Sequence, residues 1–264
     1  MFIIIFLLYD IIITGDSMIY ELKTIEELNK IKPFFNEIRF YIGKSVLDKT
    51  LGCAYTDNIE KPNIAFLVVR RYCFISGNIK KDILKKIIDE NFRDYKLIPS
   101  DNLIKEIEEI YKDNIIKSYR YSIKKDPIFN ISKLNSMKDI LEDDFKIVKI
   151  DKEIANKINH ENFIKITDNF EENGIGFCCL KNNEIIGVAS SNIFYKDGIE
   201  VNIKVKEEYR RKKIATSMAA NLILECIRRN KKISWDAANI NSVKLAEKLG
   251  FSYDSKYIFY TFNK

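Results

Sequence analysis

A short basic segment between a predicted strand and a predicted helix is the first place where residue types and spacing could do chemistry. The strand ends at Val205, and a helical pattern begins at Ile214. Between them, the run from Arg210 to Lys213 is Arg-Arg-Lys-Lys. A helix N-terminus offers free backbone N–H groups and the positive end of the helix dipole, which together suit a phosphate or pyrophosphate. The alternative is a basic cap exposed to solvent, because lysine is frequent along the whole chain, and this segment alone leaves both interpretations open.

A second segment follows one predicted helix later and places polar and small residues at fixed offsets. It runs Ser-Trp-Asp-Ala-Ala-Asn-Ile-Asn-Ser up to Ser242 and ends in Leu-Ala-Glu-Lys-Leu-Gly-Phe at Phe251. The pattern predicts a strand that ends near Asp236 and a capped helix over Asn241–Leu249 that stops at Gly250.

Together the two segments resemble the GNAT superfamily of acyl-CoA-dependent N-acyltransferases. The signatures of that family are an Arg/Gln-x-x-Gly-x-Gly/Ala turn and an Asn-x-x-Ser/Ala segment that ends in Lys-x-Gly-Phe. The chain matches them from Arg210 to Ala215 and from Asn239 to Phe251. The Leu-Ala-Glu-Lys-Leu-Gly-Phe run is similar, more narrowly, to the branch that includes zwittermicin-resistance-type acetyltransferases. Two motifs in the right order on the right elements make the resemblance specific over about residues 175–262.

The resemblance implies acetyl-CoA as co-substrate and indicates which residues would bind it. Its pyrophosphate would lie against the turn formed by Arg210, Arg211, Lys212, Lys213, Ile214 and Ala215. Backbone groups of Ile203, Lys204 and Val205 would pair with its pantetheine arm, which Asn239 and Ser242 would border.

Two residues depart from the family pattern. Lys213 stands where the family has a conserved glycine, so its side chain is expected to strain or obstruct the turn while adding a cation. Ala246 stands where many members have a tyrosine that protonates the departing thiolate. A thiol with a pKa of about 8.5 leaves tolerably without that acid, so turnover does not require the tyrosine.

In this family the amine attacks the thioester directly, and a base or a water chain removes the ammonium proton. Alternation over Ile199–Val205 puts Glu200 on the polar face of the strand that is expected to separate from its neighbour. Glu200 is therefore the first candidate catalytic base, provided that burial raises its pKa, and an exposed strand carboxylate is the alternative. Asp236 is the second candidate, with a turn or helix-capping role as the alternative.

Other catalytic classes lack the residues that they need. The chain has one histidine, His160, which does not support a histidine triad or a multi-histidine metal site. An odd number of cysteines without Cys-x-x-Cys spacing argues against disulfides and against a metal, and it favours a reduced cytoplasm. The five cysteines are Cys53, Cys73, Cys178, Cys179 and Cys226.

Composition and charge bound the remaining classes. The 264 residues are 46% hydrophobic and 31% charged, which is ordinary for a globular protein. The 44 Lys and Arg against 38 Asp and Glu give +6, but the signs are interspersed, so nucleic-acid binding is not predicted. The sole tryptophan, Trp235, is expected in the core.

The first 17 residues form a separate problem. The apolar run Phe2–Tyr9 is broken by Asp10 and is too short for a spanning helix, and no signal-peptide flanks accompany it. We interpret residues 1–17 as an upstream extension or a disordered apolar N-terminus before a start at Met18, without stable membrane insertion. A weak membrane anchor and an extra edge strand are the alternatives.

The periodicities that would position these motifs predict an α+β fold with a mixed sheet. Residues 18–125 form a smaller α+β N-terminal lobe, 126–144 a connection and 145–264 the GNAT-like domain. Helices are predicted over 24–42, 81–91, 102–114, 151–170, 214–229 and 241–249. The first of them begins at a capping box of Thr24 and Glu27 and is expected to break or kink at Pro33. Strands are predicted over 51–56, 64–70, 72–76, 119–124, 176–180, 184–194, 199–205, 232–236 and 257–262. An Asn-rich hairpin turn, Lys181-Asn182-Asn183, is predicted to join the strands 176–180 and 184–194.

The functional hypothesis is an N-acetyltransferase that acts on a primary amine of a small molecule. The rival hypothesis is a catalytically weak GNAT-like module that senses acyl-CoA or serves as a scaffold. A protein acetyltransferase is a third alternative. The sequence leaves the acceptor and the oligomeric state open, with a homodimer as one alternative.

The turn assignment predicts that Arg210→Glu and Ala215→Asp each weaken acetyl-CoA binding, because a carboxylate at a helix start opposes a bound anion. Calorimetric titration of both variants measures the loss. Unaltered affinity in both would mean that the turn does not bind the pyrophosphate.

Overall fold

A computed structural model of the chain describes residues 11–12, 19–36, 42–124, 126–161, 163, 164, 166, 170 and 174–263. The chain divides into two compact units. The first comprises Met1–Arg39, Gly43–Tyr119 and Ile258–Lys264, and the second comprises Phe40–Ile42 and Arg120–Tyr257. Helices and strands alternate in both units, which confirms the predicted α+β class.

A mixed sheet forms the body of the first unit. Its strands follow one another as β1 (Ile11–Ile12), β2 (Ile19–Glu21), β3 (Cys53–Thr56), β4 (Ile64–Val69), β5 (Tyr72–Gly77) and β6 (Lys96–Pro99). Neighbours are antiparallel except β5 and β6, which are parallel. The apolar run of β4 is almost wholly buried, as expected for a central strand.

Helices in this half of the chain are α1 (Ile25–Ile31), α2 (Ile42–Leu47), α3 (Lys81–Asn91) and α4 (Asp101–Tyr111). The predicted capping box at Thr24 is confirmed, since Thr24 Oγ1 accepts from Glu27 N at 3.1 Å and Glu27 Oε2 accepts from Thr24 N at 3.0 Å. The helix predicted over 24–42, with a break or kink at Pro33, ends at Ile31, just before that proline. A 3₁₀ turn that contains Pro33 follows, because proline cannot donate the helical hydrogen bond.

A five-stranded sheet organises the second unit in the order β12-β11-β10-β9-β8. The strands are β8 (Lys146–Lys149), β9 (Gly176–Lys181), β10 (Glu184–Tyr195), β11 (Gly198–Val205) and β12 (Lys232–Ser234). Only β11 and β12 are parallel in this sheet. The predicted turn between β9 and β10 is confirmed, with Asn182 and Asn183 at φ values of 49° and 62°.

The described residues also form the strands β7 (Ile115–Ile123), β13 (Asp236–Ala237) and β14 (Tyr253–Phe262). The predicted strand 232–236 is divided, because Trp235 separates β12 from β13. β13 pairs with β7 rather than with β11, as Asp236 lies opposite Ser122.

Helices of the second unit are α5 (Ile131–Lys138), α6 (Lys152–His160), α7 (Ile214–Arg228) and α8 (Ile240–Leu249). α7 belongs to the core that includes Ile199 and Val201 of β11. α6 belongs to a second core with Cys178 of β9 and Val188 of β10. The sheet is therefore covered on both faces by apolar side chains.

Several predicted bounds differ from the structure. α5 lies inside the segment 126–144 that was expected to be a connection, because Leu134 and Met137 are buried in the core of α7. α6 ends at His160, short of the predicted end at residue 170. The patterns did not predict the short strands β6 and β8, whose four residues give too little alternation.

Of the N-terminal segment 1–17, only Ile11–Ile12 is described, and it pairs with β2. The interpretation of the rest of that segment lies outside the described residues. Within the part of the chain that the structure describes, no helix has the length and apolar character to cross a membrane.

The last turn of α7 carries an ionic cluster that predicts a pH-dependent stability. Glu225 accepts hydrogen bonds from Arg228 at 2.7 Å, Arg229 at 2.9 Å and Lys149 at 3.2 Å, and these cations hold its pKa at about 2. A folded pKa below the ordinary glutamate value of 4.5 means that this carboxylate stabilises the fold above about pH 4.5, an effect lost as the pH falls toward 2.

Glu225→Gln is therefore expected to lower the free energy of unfolding by about 1–2 kcal/mol at pH 7, after allowance for solvent screening. Urea unfolding between pH 7 and pH 3 measures the difference, which should shrink below about pH 4. Glu247→Gln, at an exposed carboxylate of α8, is the control. A difference that does not depend on pH would contradict the ionic origin.

Candidate functional site

The parallel pairing of β11 with β12 is short. It comprises three residue pairs, the last of which joins Glu200 to Ser234. Beyond that pair the described part of the chain shows no further β11–β12 pairing, and β13 pairs with β7. β11 itself continues to Val205, so five of its residues lie past the point where the two strands separate.

The backbone of β11 presents hydrogen-bonding groups to this separation. Asp197 O accepts from Lys232 N at 2.8 Å, whereas Lys206 N donates to Ile186 O on the opposite side at 2.9 Å. Alternate residues of a strand turn their N–H and C=O groups to the same side, so Ile203 and Val205 face the separation. Of the three residues predicted to pair with pantetheine, Lys204 is the one whose backbone faces β10.

The N-terminus of α7 lies at the end of β11. Gly187 of β10 is opposite Val205, and a Cβ added at Gly187 would lie 3.1 Å from Ile214 Cγ2 and 2.8 Å from Met218 Cε. A side chain at residue 187 would therefore require the Met218 and Ile214 side chains of α7 to shift. The glycine lets the first turn of the helix pack directly against the sheet.

No side chain caps the start of α7, and its first turn contains no acidic residue. Ser217 N donates to Lys213 O at 3.0 Å, so the amides of Ile214, Ala215 and Thr216 come before that bond. These are the N–H groups that a helix leaves for an outside acceptor. By contrast, α8 is capped by Asn239, whose side-chain oxygen accepts from Ser242 N at 3.0 Å.

The turn before α7 uses left-handed backbone at two of its basic residues. Arg211 has φ 65° and Lys213 has φ 61°, a region that glycine adopts without strain and other residues disfavour. The side chain of Lys213 is exposed. Lysine thus occupies the expected glycine position in the backbone conformation that glycine favours.

The neighbouring cations of the turn lie at the surface. Arg210 Nη1 is 3.0 Å from Glu207 Oε1, and both side chains are exposed. The ammonium of Lys212 lies 5.7 Å from the centroid of the Tyr209 ring. An exposed ion pair of this kind contributes little, so Arg210 can exchange Glu207 for a phosphate at low cost.

Glu200 is buried at the point where the strands separate. Glu200 is only 5% exposed, and its Oε2 accepts a hydrogen bond from Ser234 Oγ. Its Oε1 is also buried and has no hydrogen-bond partner in the described portion of the structure. Burial, and secondly the charge of Asp236, raise the pKa of Glu200 to about 8.

The Ser234 hydroxyl has two acceptors within reach and one proton to donate. It lies against Glu200 Oε2 and 3.2 Å from Ile199 O. When Glu200 is ionised, the hydroxyl can donate to the carboxylate. When Glu200 is protonated, the carboxyl can donate to Ser234 Oγ, which then donates to Ile199 O. The site therefore accommodates both protonation states without moving a side chain.

Asp236, the second predicted base, is held by other residues. Its Oδ2 lies 2.6 Å from Arg120 Nε, its backbone oxygen accepts from Arg120 Nη2 at 2.9 Å, and its Oδ1 accepts from Tyr257 Oη at 3.0 Å. The two side chains of the ion pair are 15% and 3% exposed. A carboxylate paired with arginine favours its ionised form, which suits a fixed anion better than a proton acceptor.

The residues predicted to border the pantetheine arm also organise the start of α8. Besides the cap from Asn239, Ser242 Oγ accepts from Trp235 Nε1 at 3.0 Å. Trp235 is buried and packs edge to face on Phe251, which confirms its expected place in the core. The amide nitrogen of the exposed Asn239 side chain is the group that the cap leaves for another partner.

Three residues of this site were not predicted as functional: Ser234, Arg120 and Tyr257. Ser234 lies two residues before Asp236 in the sequence, and this spacing on a predicted strand could have indicated a shared side. Arg120 and Tyr257 lie 116 and 21 residues from Asp236, and no local pattern connects them to it.

Comparisons with known proteins agree on one family. A family model described as GNAT acetyltransferase matches residues 32–260. An uncharacterised N-acetyltransferase of Bacillus subtilis is 25% identical over 234 residues, which cover 82% of this chain and 88% of the relative.

Solved structures are similar as well. A GCN5-related N-acetyltransferase-like protein from Streptococcus suis superposes with a TM-score of 0.82 at 30% identity, covering 91% of this chain and all of the other. A GCN5-related N-acetyltransferase from Kribbella flavida has a TM-score of 0.52 at 9% identity, covering 76% and 87%. The latter likeness concerns the fold alone.

The left-handed conformation of Lys213 leads to a test by glycine substitution. Glycine at 213 relieves a backbone cost of about 1 kcal/mol and incurs an entropic cost of similar size. Lys213→Gly is therefore expected to leave the free energy of unfolding within about 0.5 kcal/mol of the parent.

The matched control is Lys212→Gly, because Lys212 does not have a positive φ. That variant is expected to lose about 0.5–1 kcal/mol in the same urea titration. Equal losses in the two glycine variants would show that residue 213 does not adopt the left-handed conformation in solution.

Proposed function

The chain belongs to the GNAT acetyltransferase family, and from that premise we propose that it moves an acetyl group from acetyl-CoA to a primary amine of a small molecule. The observation that carries the proposal is the separation of β11 from β12 at Glu200, beside the uncapped start of α7. Along β11 the buried carboxylate of Glu200 comes first, followed by the backbone groups of 201–205 that β12 does not pair with. The start of α7, which would bind phosphate, comes next. These are the three things that acyl transfer from a thioester of coenzyme A needs.

The residues of this region fit acetyl-CoA. The amides of Ile214 and Ala215, with the surrounding cations, would bind its pyrophosphate. Ile203 and Val205 would pair with the amides of its pantetheine arm, which extends along β11 toward Glu200. When bound, acetyl-CoA supplies an acetyl group as a thioester, which a neutral amine attacks directly as the C–S bond breaks.

Glu200 takes up the proton that the amine must lose. An alkylammonium has a pKa near that of lysine, about 10.4, so transfer to an ordinary glutamate with a pKa of about 4.3 is unfavourable by roughly six units. With a pKa of about 8, Glu200 reduces that gap to roughly two units. The unpartnered Oε1 is the atom available to receive the proton.

The departing thiolate needs no acid from α8. Ala246 is fully buried in the core and offers no proton. Since a thiol has a pKa of about 8.5, its thiolate is a tolerable leaving group near neutral pH.

Finer assignments belong to the same proposal. They are membership of the zwittermicin-resistance-type branch, a GNAT-like domain over 145–264, a cytoplasmic location and a homodimer as one alternative. The rival hypothesis of an acyl-CoA sensor or scaffold is not favoured by relatives named as acetyltransferases. Binding of acetyl-CoA without thiol release from any of a panel of amines would favour the sensor.

The base assignment predicts the behaviour of Glu200→Gln. Its affinity for acetyl-CoA should stay within about twofold of the parent, while kcat/KM should fall by about 10²-fold or more, as expected when a general base is lost. In the parent, kcat/KM should rise with pH through about 8 as Glu200 ionises. The variant should lack the inflection near pH 8 and keep only the rise that deprotonation of the acceptor amine produces.

Calorimetry and a thiol-release assay between pH 6 and pH 10 measure both quantities. Glu142→Gln, at an exposed carboxylate outside the site, is the matched control and should behave like the parent. An unchanged pH profile in Glu200→Gln would show that Glu200 is not the base. If the parent protein does not bind acetyl-CoA, the proposed function itself is overturned.

A further inference from the structure

Two carboxylates, Glu200 and Asp236, are buried near each other where β11 and β12 separate, and their surroundings differ. Both oxygens of Asp236 are engaged, Oδ2 by Arg120 and Oδ1 by Tyr257. Glu200 accepts a hydrogen bond from the neutral hydroxyl of Ser234 through Oε2. Its Oε1 is without a hydrogen-bond partner among the described residues.

Arg120 is held in one orientation toward Asp236. Its Nε lies 2.6 Å from the carboxylate and its Nη2 lies 2.9 Å from the backbone oxygen of the same residue. These two contacts use the planar fork of the guanidinium, which does not lose its proton in proteins. The cation therefore acts on the side chain and on the backbone of β13 together.

Two like charges in a buried site cannot both be ionised without a large cost, so one of the two carboxylates keeps a proton to higher pH. The cation decides which one. A carboxylate that contacts an arginine is the more easily ionised, and its neighbour without such a contact is the one that holds the proton.

We propose that Arg120 is a positioning residue that divides the roles of the two carboxylates: it holds Asp236 as a fixed anion and so makes Glu200 the group that takes up and releases the proton. The inference rests on the proposed function, in which Glu200 is the base. Arg120 lies in β7, ahead of the segment 145–264 that carries the family motifs.

The charged and polar groups that act on Glu200 define the expected signs. They are Ser234 from β12, Asp236 from β13 and Arg120 from β7, while Tyr257 of β14 acts through Asp236. The anion of Asp236 raises the pKa of Glu200, and the cation of Arg120 lowers it. Removal of one or the other should therefore shift the titration of Glu200 in opposite directions.

The test is an infrared titration of the protonated carboxyl band in the full chain, assigned to Glu200 by its loss in Glu200→Gln. In Asp236→Asn the midpoint should fall by roughly one unit or more, because an anion is removed and Arg120 remains. In Arg120→Gln the midpoint should rise by a similar amount, because Asp236 is left unneutralised. The double variant should lie between the two.

Arg228→Gln is the matched control, because it makes the same substitution at a surface arginine of the second unit, one that forms an ion pair with Glu225. Its Glu200 midpoint should equal that of the parent. Shifts of Asp236→Asn and Arg120→Gln in the same direction, or no shift beyond that of the control, would overturn the proposal. A purely structural role of Arg120 would lower stability without producing opposite shifts.

A second variant of Arg120 and a kinetic measurement complete the test. If Arg120→Gln does not fold, Asp236→Asn alone still overturns the proposal when its midpoint does not fall. Arg120→Lys keeps the charge but loses the planar fork, so its midpoint should rise rather than fall. The acid limb of kcat/KM is then measured in the same variants. If the midpoint of Glu200 moves as expected and this limb does not follow, the division of roles stands and Glu200 fails as the base.

Discussion

The pairing between β11 and β12 cannot continue past Glu200 because the chain after Ser234 turns at Trp235 and pairs with β7 instead. A strand whose partner leaves keeps its backbone N–H and C=O groups on that side available for another partner. Among the described residues, the stretch of β11 past its pairing with β12 runs from Val201 to Val205, and the uncapped start of α7 follows it in the chain. One change of strand partner thus creates the unpaired edge of β11. It also sets the direction in which a ligand would lie along that edge, from Glu200 toward the start of α7.

The same change of partner brings buried charge together. Ser234 remains opposite Glu200, whereas Asp236 is carried over to β7, where Arg120 contacts it. Burial of an unpaired carboxylate is costly, and a group with a partnerless oxygen responds by holding its proton more tightly. The raised pKa of Glu200 and the ion pair of Asp236 are therefore two consequences of a single arrangement of strands.

Local strain and close packing accompany this arrangement. Gly187 lets α7 approach the sheet where β11 ends, and the turn before α7 passes through left-handed backbone at Arg211 and Lys213. Such backbone persists where the surrounding structure fixes it, and it is frequent at sites that bind ligands. The buried first residue of α7, Ile214, anchors the turn from the other side.

The sequence by itself determined most of the helices and strands and predicted the basic turn before α7, because helix caps, alternation and glycine stops act within a few residues. Thr24 with Glu27, the Asn182-Asn183 turn and the end of α8 at Gly250 were all predictable in this way. It also placed Glu200 on the polar face of its strand. Only the tertiary structure decided where β12 gives way to β13, that α5 packs on α7, and that Arg120 neutralises Asp236. Those outcomes depend on contacts between residues far apart in the chain, for which local periodicity carries no signal.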